Sequence, residues 1–350
     1  GSYLHGIFDT DGFAEEMIRR LMKEKGMEFE NWHFDLEAHK EQEYDKLADL
    51  VSLLSGRDFE TKEFREDIIA DSYDRMDKGI LNFANEYNFN QFVLAIKGAG
   101  FVSHKLLNSA MTLDFAYTLY LILLDAPEIP NDQIKHYVQK WFVLSTLTSR
   151  YIGSPESQMD RDMRSIQEKG FLSFLADTEA SALSDTFWTV TLPQNLETSS
   201  VNSPAFNVFL AAQEHLNCNS LFMNGLKVGD LITISGDIHH IFPRAYLRNN
   251  GVNSKTKYNQ VANYIYLDTQ GNKAISDAAP CEYFGRALRQ CETKELKLGN
   301  ITELTLLKEN LAENCIPETV IEMDASRYDE FLIERRKLMA AMMRRYYMSL

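Results

Sequence analysis

Two short runs, Leu231-Ile232-Thr233-Ile234 and Tyr264-Ile265-Tyr266-Leu267, interrupt a chain of 350 residues whose apolar spacing is otherwise helical. Both runs are β-branched or aromatic and bounded by Gly, Asp and Asn, the composition of strands. Sheet content that small leaves the core to helices, so the predicted fold class is mainly α. Upstream, Phe13, Met17, Ile18 and Leu21 recur at helical spacing, as do Leu47, Leu50, Val51 and Leu54. The aromatic-rich stretch 80–92 is expected to be buried. Lys97-Gly98-Ala99-Gly100 breaks the pattern, and an apolar helix is predicted over 107–124, ended by Asp125-Ala126-Pro127 because proline disfavours helical geometry in the residue before it.

A further helix is predicted over 131–151, with Ile134, Val138, Trp141, Phe142, Leu144 and Leu147 on its core face. Ser154-Pro155-Glu156 has the form of a cap followed by proline and acid in the first turn, and predicts a helix to about 167. The segment 191–202 is rich in turn formers and is read as a domain boundary. It divides a helical domain, 1–195, from a second domain, 196–350. In the second, Ser203-Pro204 opens a helix to about 218, Pro280 starts another, and a last helix is predicted over 327–347.

The bulk properties are those of an ordinary water-soluble chain, 45% hydrophobic and 25% charged, with no apolar run near the roughly 20 residues that span a bilayer. The four cysteines show no CxxC spacing, which argues for a reducing compartment, the cytoplasm, and against structural zinc. The opening Gly1-Ser2, without methionine, reads as a cloning remnant on a fragment of a longer protein. A net charge of −15 is unfavourable for nucleic-acid binding, but residues 1–90 alone carry 22 acidic against 11 basic residues. Between Asp237 and Lys273 the balance reverses: Arg244, Arg248, Lys255, Lys257 and Lys273 face Asp237 and Asp268. A phosphate meets the local field, although five basic residues in such a window also describe a solvated face.

That basic window contains the densest group of metal-binding and proton-transfer side chains in the chain: Asp237-Ile238-His239-His240, then Asn263 and Asn272. Phosphodiester hydrolysis needs an activated water and positive charge on the phosphate and the departing oxygen; a divalent metal supplies the second, and a histidine near its ordinary pKa the first. Adjacent histidines on an extended segment point to opposite sides, so one can hold metal while its neighbour faces water. Asparagine oxygens suit a hard cation. Arg244 and Lys273 are candidate phosphate contacts, with plain surface charge as the alternative, and Asp237 is a candidate carboxylate behind a histidine ring, or a strand-end turn. The cluster Arg335-Arg336-Lys337 and Arg344-Arg345 in the last helix could follow a DNA backbone or form a solvated face.

The run His239-His240-Ile241-Phe242-Pro243, with Asn263 and Asn272 nine residues later, resembles the ββα-metal, or HNH, nuclease motif. The resemblance implies His239 and Asn272 as metal ligands, His240 as general base, and Asn263 beside it in the catalytic loop as the residue that holds that loop. It implies one divalent cation per site, magnesium or manganese, with nickel or zinc open because histidine stands where aspartate is commoner. Over a wider stretch, residues 237–247, 259–264 and 276–283 resemble the C-terminal HNH domain of GmrSD-type restriction proteins of bacterial and archaeal anti-phage defence. That likeness implies an endonuclease nicking foreign, modified DNA, with a ParB-like nucleotidase domain missing from the N-terminal side. It also leaves open a DNA-binding or assembly module whose HNH site is inactive without that domain.

Overall fold

The apolar stretch expected near 107–124 forms helix α2, and why it sits where it does follows from its composition. In the computed structural model, which describes residues 77–350 except Ser235 and Asp237, α1 spans Glu86–Gly98 and α2 spans Ala110–Leu124. Ser109 caps α2 by accepting the Thr112 N–H at 3.3 Å. The helix is apolar on nearly all sides, so Phe115, Ala116, Leu119, Tyr120 and Leu123 are all buried. It packs on α3, Asn131–Leu147, whose Val138, Trp141, Phe142, Val143 and Leu144 are buried in turn. Gly100, between α1 and α2, has φ +92°, and a Cβ there would lie 2.0 Å from the Ala211 carbonyl oxygen. Only glycine allows both the turn and the close approach.

After α3 the chain turns through Arg150 and Tyr151 into α4, Pro155–Lys169, and α5, Phe171–Ala182. Asp162 of α4, 1% exposed, takes both arms of the Arg150 guanidinium at 2.7 and 2.5 Å, the Tyr151 hydroxyl at 2.9 Å and the Gln158 amide at 2.8 Å. The stretch expected as a boundary, 191–202, begins helically, with a π-turn over Phe187–Thr191 running into a short helix, Leu192–Asn195, and continues as turn and irregular chain. Then α6, Pro204–His215, begins at Ser203, whose hydroxyl accepts the Phe206 N–H at 3.3 Å.

Leu231–Thr233, predicted as strand, belongs to α7, Val228–Thr233. The Asp230 carboxylate accepts the Lys227 N–H at 3.1 Å at the helix start, and Val228, Leu231 and Ile232 form its buried side, which is helical spacing. The second run does form a strand. Strand β1, Ile238–His240, pairs antiparallel with β2, Tyr264–Tyr266, as a two-stranded sheet. Between them lie α8, Arg244–Asn249, a turn of helix over Lys255–Tyr258, and a 3₁₀ turn over Val261–Asn263. Helices α9, Thr269–Ile275, α10, Pro280–Thr293, and α11, Leu304–Glu313, follow β2.

The last helix, α12, Tyr328–Ser349, touches both halves of the described chain. Its Tyr346 hydroxyl donates to the Ala99 carbonyl at 2.5 Å, its Tyr347 hydroxyl to Glu179 at 2.6 Å, and its Arg335 to the backbone beside β2. Leu81–Leu350 is one compact unit with a continuous apolar core, so residues on either side of the expected 195/196 boundary share that core. The fold is mainly helical, as its composition predicts. The stretch 80–92 is not the buried segment expected: Ile80, Leu81, Phe83, Tyr87 and Phe89 are exposed, and Phe92 is buried. The predicted helices around 13–21 and 47–54 lie outside the described residues. Among the described residues no helix is long and apolar enough to cross a membrane.

Candidate functional site

The strand pair fixes which groups can meet. Ile238 lies opposite Tyr266, His239 opposite Ile265 and His240 opposite Tyr264. Side chains alternate along a strand, so Ile238, His240, Tyr264 and Tyr266 share one face and His239 and Ile265 the other. The two histidines therefore point to opposite sides, as the sequence implies.

Beyond His240 the backbone leaves the strand under close restraint. The Ile241 N–H donates to the Asn263 carbonyl at 2.9 Å, and the Tyr283 hydroxyl donates to the Ile241 carbonyl at 2.7 Å. Asn263 is fully buried; its side-chain oxygen accepts the Phe242 N–H at 2.8 Å, and its amide donates to the carbonyls of Phe242 and Tyr258, each at 3.1 Å. Its side chain is thus taken up by backbone groups and by the Tyr328 hydroxyl, and it holds the loop after His240 from the interior. The Phe242 ring, also fully buried, lies against Tyr328 and Phe331 of α12. From the other side, Arg335 donates to the carbonyls of Ala262 at 2.8 Å, Tyr264 at 2.7 Å and Asn314 at 3.3 Å. Read in sequence as part of a basic stripe, Arg335 is 1% exposed and serves the interior; Arg336 pairs with Glu197 and Arg344 with Asp185.

His240 is half-buried, its ring edge-on to Tyr264 at 5.1 Å between centroids. Its Nε2 lies 3.0 Å from the side-chain oxygen of Asn259. An amide oxygen only accepts, so Nε2 carries the proton of the neutral ring and Nδ1 is left as the basic nitrogen. Burial holds the imidazole below the ordinary histidine value; the Asn259 bond works against that, while the nearby positive charge of Arg244 and the ring of His239 push the same way as burial. A neutral ring with one nitrogen committed and one open is the state a general base requires. Asn259 was not singled out in the sequence; its position four residues before Asn263 was the available signal.

His239 is half-buried in mid-strand, and Asn272 sits one turn inside α9 instead of at its first residue. α9 begins three residues after β2, whereas α8, a turn of helix and a 3₁₀ turn separate β1 from β2, so His239 and Asn272 lie on elements well apart in sequence. Asp268 supplies the helix cap, accepting the N–H groups of Gln270 and Gly271 at 2.8 and 3.0 Å, which leaves Asn272 with no capping duty. Among the described residues no three or more His, Cys, Asp or Glu converge on a metal position. One imidazole and one carboxamide would make a neutral, sparse donor set, of the kind that suits a hard cation shared with an anionic substrate and not a closed structural site with four protein ligands. Arg244 opens α8 and is exposed, as is Lys273 in α9, and neither has an ion-pair partner among the described residues. Asp237, the candidate carboxylate behind the histidines, lies outside the described residues.

A stretch of 52 residues, 15% of this chain, is 54% identical to part of a cobyric acid synthase from Lachnoclostridium phytofermentans, where it makes up 10% of that protein. The cobyric acid synthases of Ruminiclostridium cellulolyticum and of a Thermoanaerobacter species are 46% identical over 52 residues and 45% over 51, again 15% of this chain and 10% of theirs. The chain therefore spans about a tenth of the length of the curated relatives it matches. No family model matches it, and no solved structure does. These findings correct the expected kinship with GmrSD-type restriction proteins: the relatives are synthases, with no restriction protein or HNH nuclease among them. That kinship rests on short runs between 237 and 283, and short runs of strand and turn residues recur in unrelated proteins.

Proposed function

We propose that the β1–β2–α9 unit is the centre of a metal-dependent phosphodiesterase that nicks DNA, with His240 as general base. The observation that carries the reading is the pair of restraints on His240: Asn259 accepts a hydrogen bond from its Nε2, and Asn263 clamps the backbone immediately after it. Such double support is what a base aimed at a water molecule needs. Nδ1 of the neutral ring removes a proton from the attacking water, the water oxygen bonds to phosphorus, and the bond from phosphorus to the departing sugar oxygen breaks. Arg244, whose positive charge opposes protonation of His240, would hold a phosphate oxygen. A divalent cation, magnesium or manganese, held by His239 and Asn272 would supply Lewis-acid charge to the phosphate and the departing oxygen. One base and one cation cleave one strand, which makes the product a nick.

The 52-residue similarity to synthases supports the coarser statement that this chain is an enzyme, and leaves the reaction to the site itself. The test is conversion of supercoiled plasmid to the open circular form across a series of divalent metals, with His240→Ala as the control and circular dichroism to verify its fold. Metal-dependent nicking abolished by His240→Ala supports the reading. Undiminished nicking by that variant overturns it, and salt-sensitive DNA binding without cleavage under every metal assigns the chain to DNA binding instead.

A further inference from the structure

A cavity of about 740 Å³ opens beside the strand pair, and Ile238 and Tyr266 form one of its walls. These two residues face each other across the strands and share the His240 face, so the cavity lies on the same side of the sheet as the general base. The 3₁₀ turn His104–Leu106, nearly a hundred residues away from α6 in sequence but bound to it, also lines the cavity. Asn207 of α6, 1% exposed, donates to the Lys105 carbonyl at 3.3 Å and to the Asn108 side-chain oxygen at 2.9 Å, and Asn108 in turn donates to the Asn202 carbonyl. The polar side of the cavity is therefore held in place by the buried amide of Asn207.

The chemistry of the lining is unusual for this chain. The chain carries a net charge of −15, yet the cavity is lined by Lys105 and His104, both exposed, together with the amides of Asn108, Asn202 and Asn207. Lys105 has no ion-pair partner among the described residues. Beside these groups stand apolar and aromatic surfaces, Leu106, Ile238 and Tyr266. A lysine next to an aromatic side chain is the pairing that takes a phosphate and an unstacked base together, and the volume falls in the roughly 300–1,000 Å³ range of small-ligand sites.

We propose that this cavity is a nucleotide subsite: it receives the DNA nucleotide adjoining the phosphate presented to His240, with that nucleotide's own phosphate at Lys105 and its base against Tyr266. The inference rests on the nuclease reading for the identity of the ligand. A base entering a cavity of this size has left the duplex stack, so the site selects single-stranded or locally opened DNA over intact duplex.

The experiment is fluorescence anisotropy of a labelled single-stranded oligonucleotide, and of its duplex, with the full chain in excess chelator so that no cleavage occurs. The expected result is tighter binding of the single strand, weakened roughly tenfold by Lys105→Glu and largely restored by Lys105→Arg, as for loss of a phosphate contact. Lys105 is exposed, so an unchanged melting curve establishes that the variant is folded. Equal single-strand affinity for wild type and Lys105→Glu, or preference for duplex, overturns the subsite even where plasmid nicking is normal. Absent nicking with Lys105-dependent single-strand binding overturns the nuclease reading and leaves the subsite standing.

Discussion

Arg335, in the last helix, donates at 2.7 Å to the carbonyl of Tyr264, the residue directly opposite His240 in the strand pair. The guanidinium is buried, pushed down to about 10 by loss of hydration, and so stays charged at neutral pH. Among its hydrogen bonds, all acceptors are backbone carbonyls. Arg335→Met removes the charge but strands three acceptors; each buried group left unpaired costs about 1–3 kcal/mol, offset in part by the desolvation the variant no longer bears. The expected outcome is a net loss of roughly 1–3 kcal/mol, read from urea unfolding, with a larger fall in nicking than in DNA binding because β2 loses its register against His240.

Asn263 separates geometry from polarity in the same loop. Asn263→Asp keeps an oxygen to accept the Phe242 N–H but cannot donate to the Phe242 and Tyr258 carbonyls, and it puts a carboxylate in a fully buried position. Burying an unpaired charge costs more than deleting the side chain. Asn263→Asp is therefore expected to be less stable than Asn263→Ala, and both less stable than wild type, in thermal melts. The reverse order would mean that the side chain faces water.

Helix starts were legible wherever the sequence carried punctuation: Ser203-Pro204, Ser154-Pro155 and Pro280 each open a helix. β2 was legible because its β-branched and aromatic run is flanked by turn residues, whereas Leu231-Ile232-Thr233-Ile234 is too short for its apolar residues to reveal a period. The opposed faces of His239 and His240 also followed from the sequence, since alternation along a strand is a local property. What required the fold was everything depending on distant residues. Asn259 gains its role only because the loop returns it to His240, and Arg335 is drawn inward by carbonyls some seventy residues away. Charge in a sequence says nothing of which carbonyls lack donors.

Asp162 tests the other half of the molecule. It accepts from Arg150, Tyr151 and Gln158 while 1% exposed, so Asp162→Ala leaves a largely buried guanidinium without its counter-charge. Breaking a buried pair from one side costs about 3–5 kcal/mol. Because α12 joins α5 to the site through Tyr347 and Arg335, the loss is expected as a single cooperative unfolding transition at lower denaturant, seen alike by tyrosine fluorescence and circular dichroism. Two separate transitions would show that the α4–α5 region unfolds independently.

The pH dependence of the proposed site follows from His240. Its folded pKa is lowered, chiefly by burial, so the folded state binds this proton less readily than the unfolded chain. Between the folded value and the ordinary histidine value the unfolded state carries more protons, and stability rises with pH. The His240 contribution is therefore intact above the ordinary histidine value and is lost as pH falls towards the folded one. The acidic limb of the nicking profile should lie below that ordinary value for the same reason, since a neutral Nδ1 is the active form. Asn259→Leu removes the acceptor that fixes the tautomer and, by favouring protonation, works against burial. It is expected to shift that limb further to acid while lowering the plateau about 10–100-fold, as for loss of an orienting partner. A plateau that falls with no movement of the limb would mean Asn259 supports the loop only; a limb unmoved in His240→Gln, if activity remains, would remove His240 from the role of base.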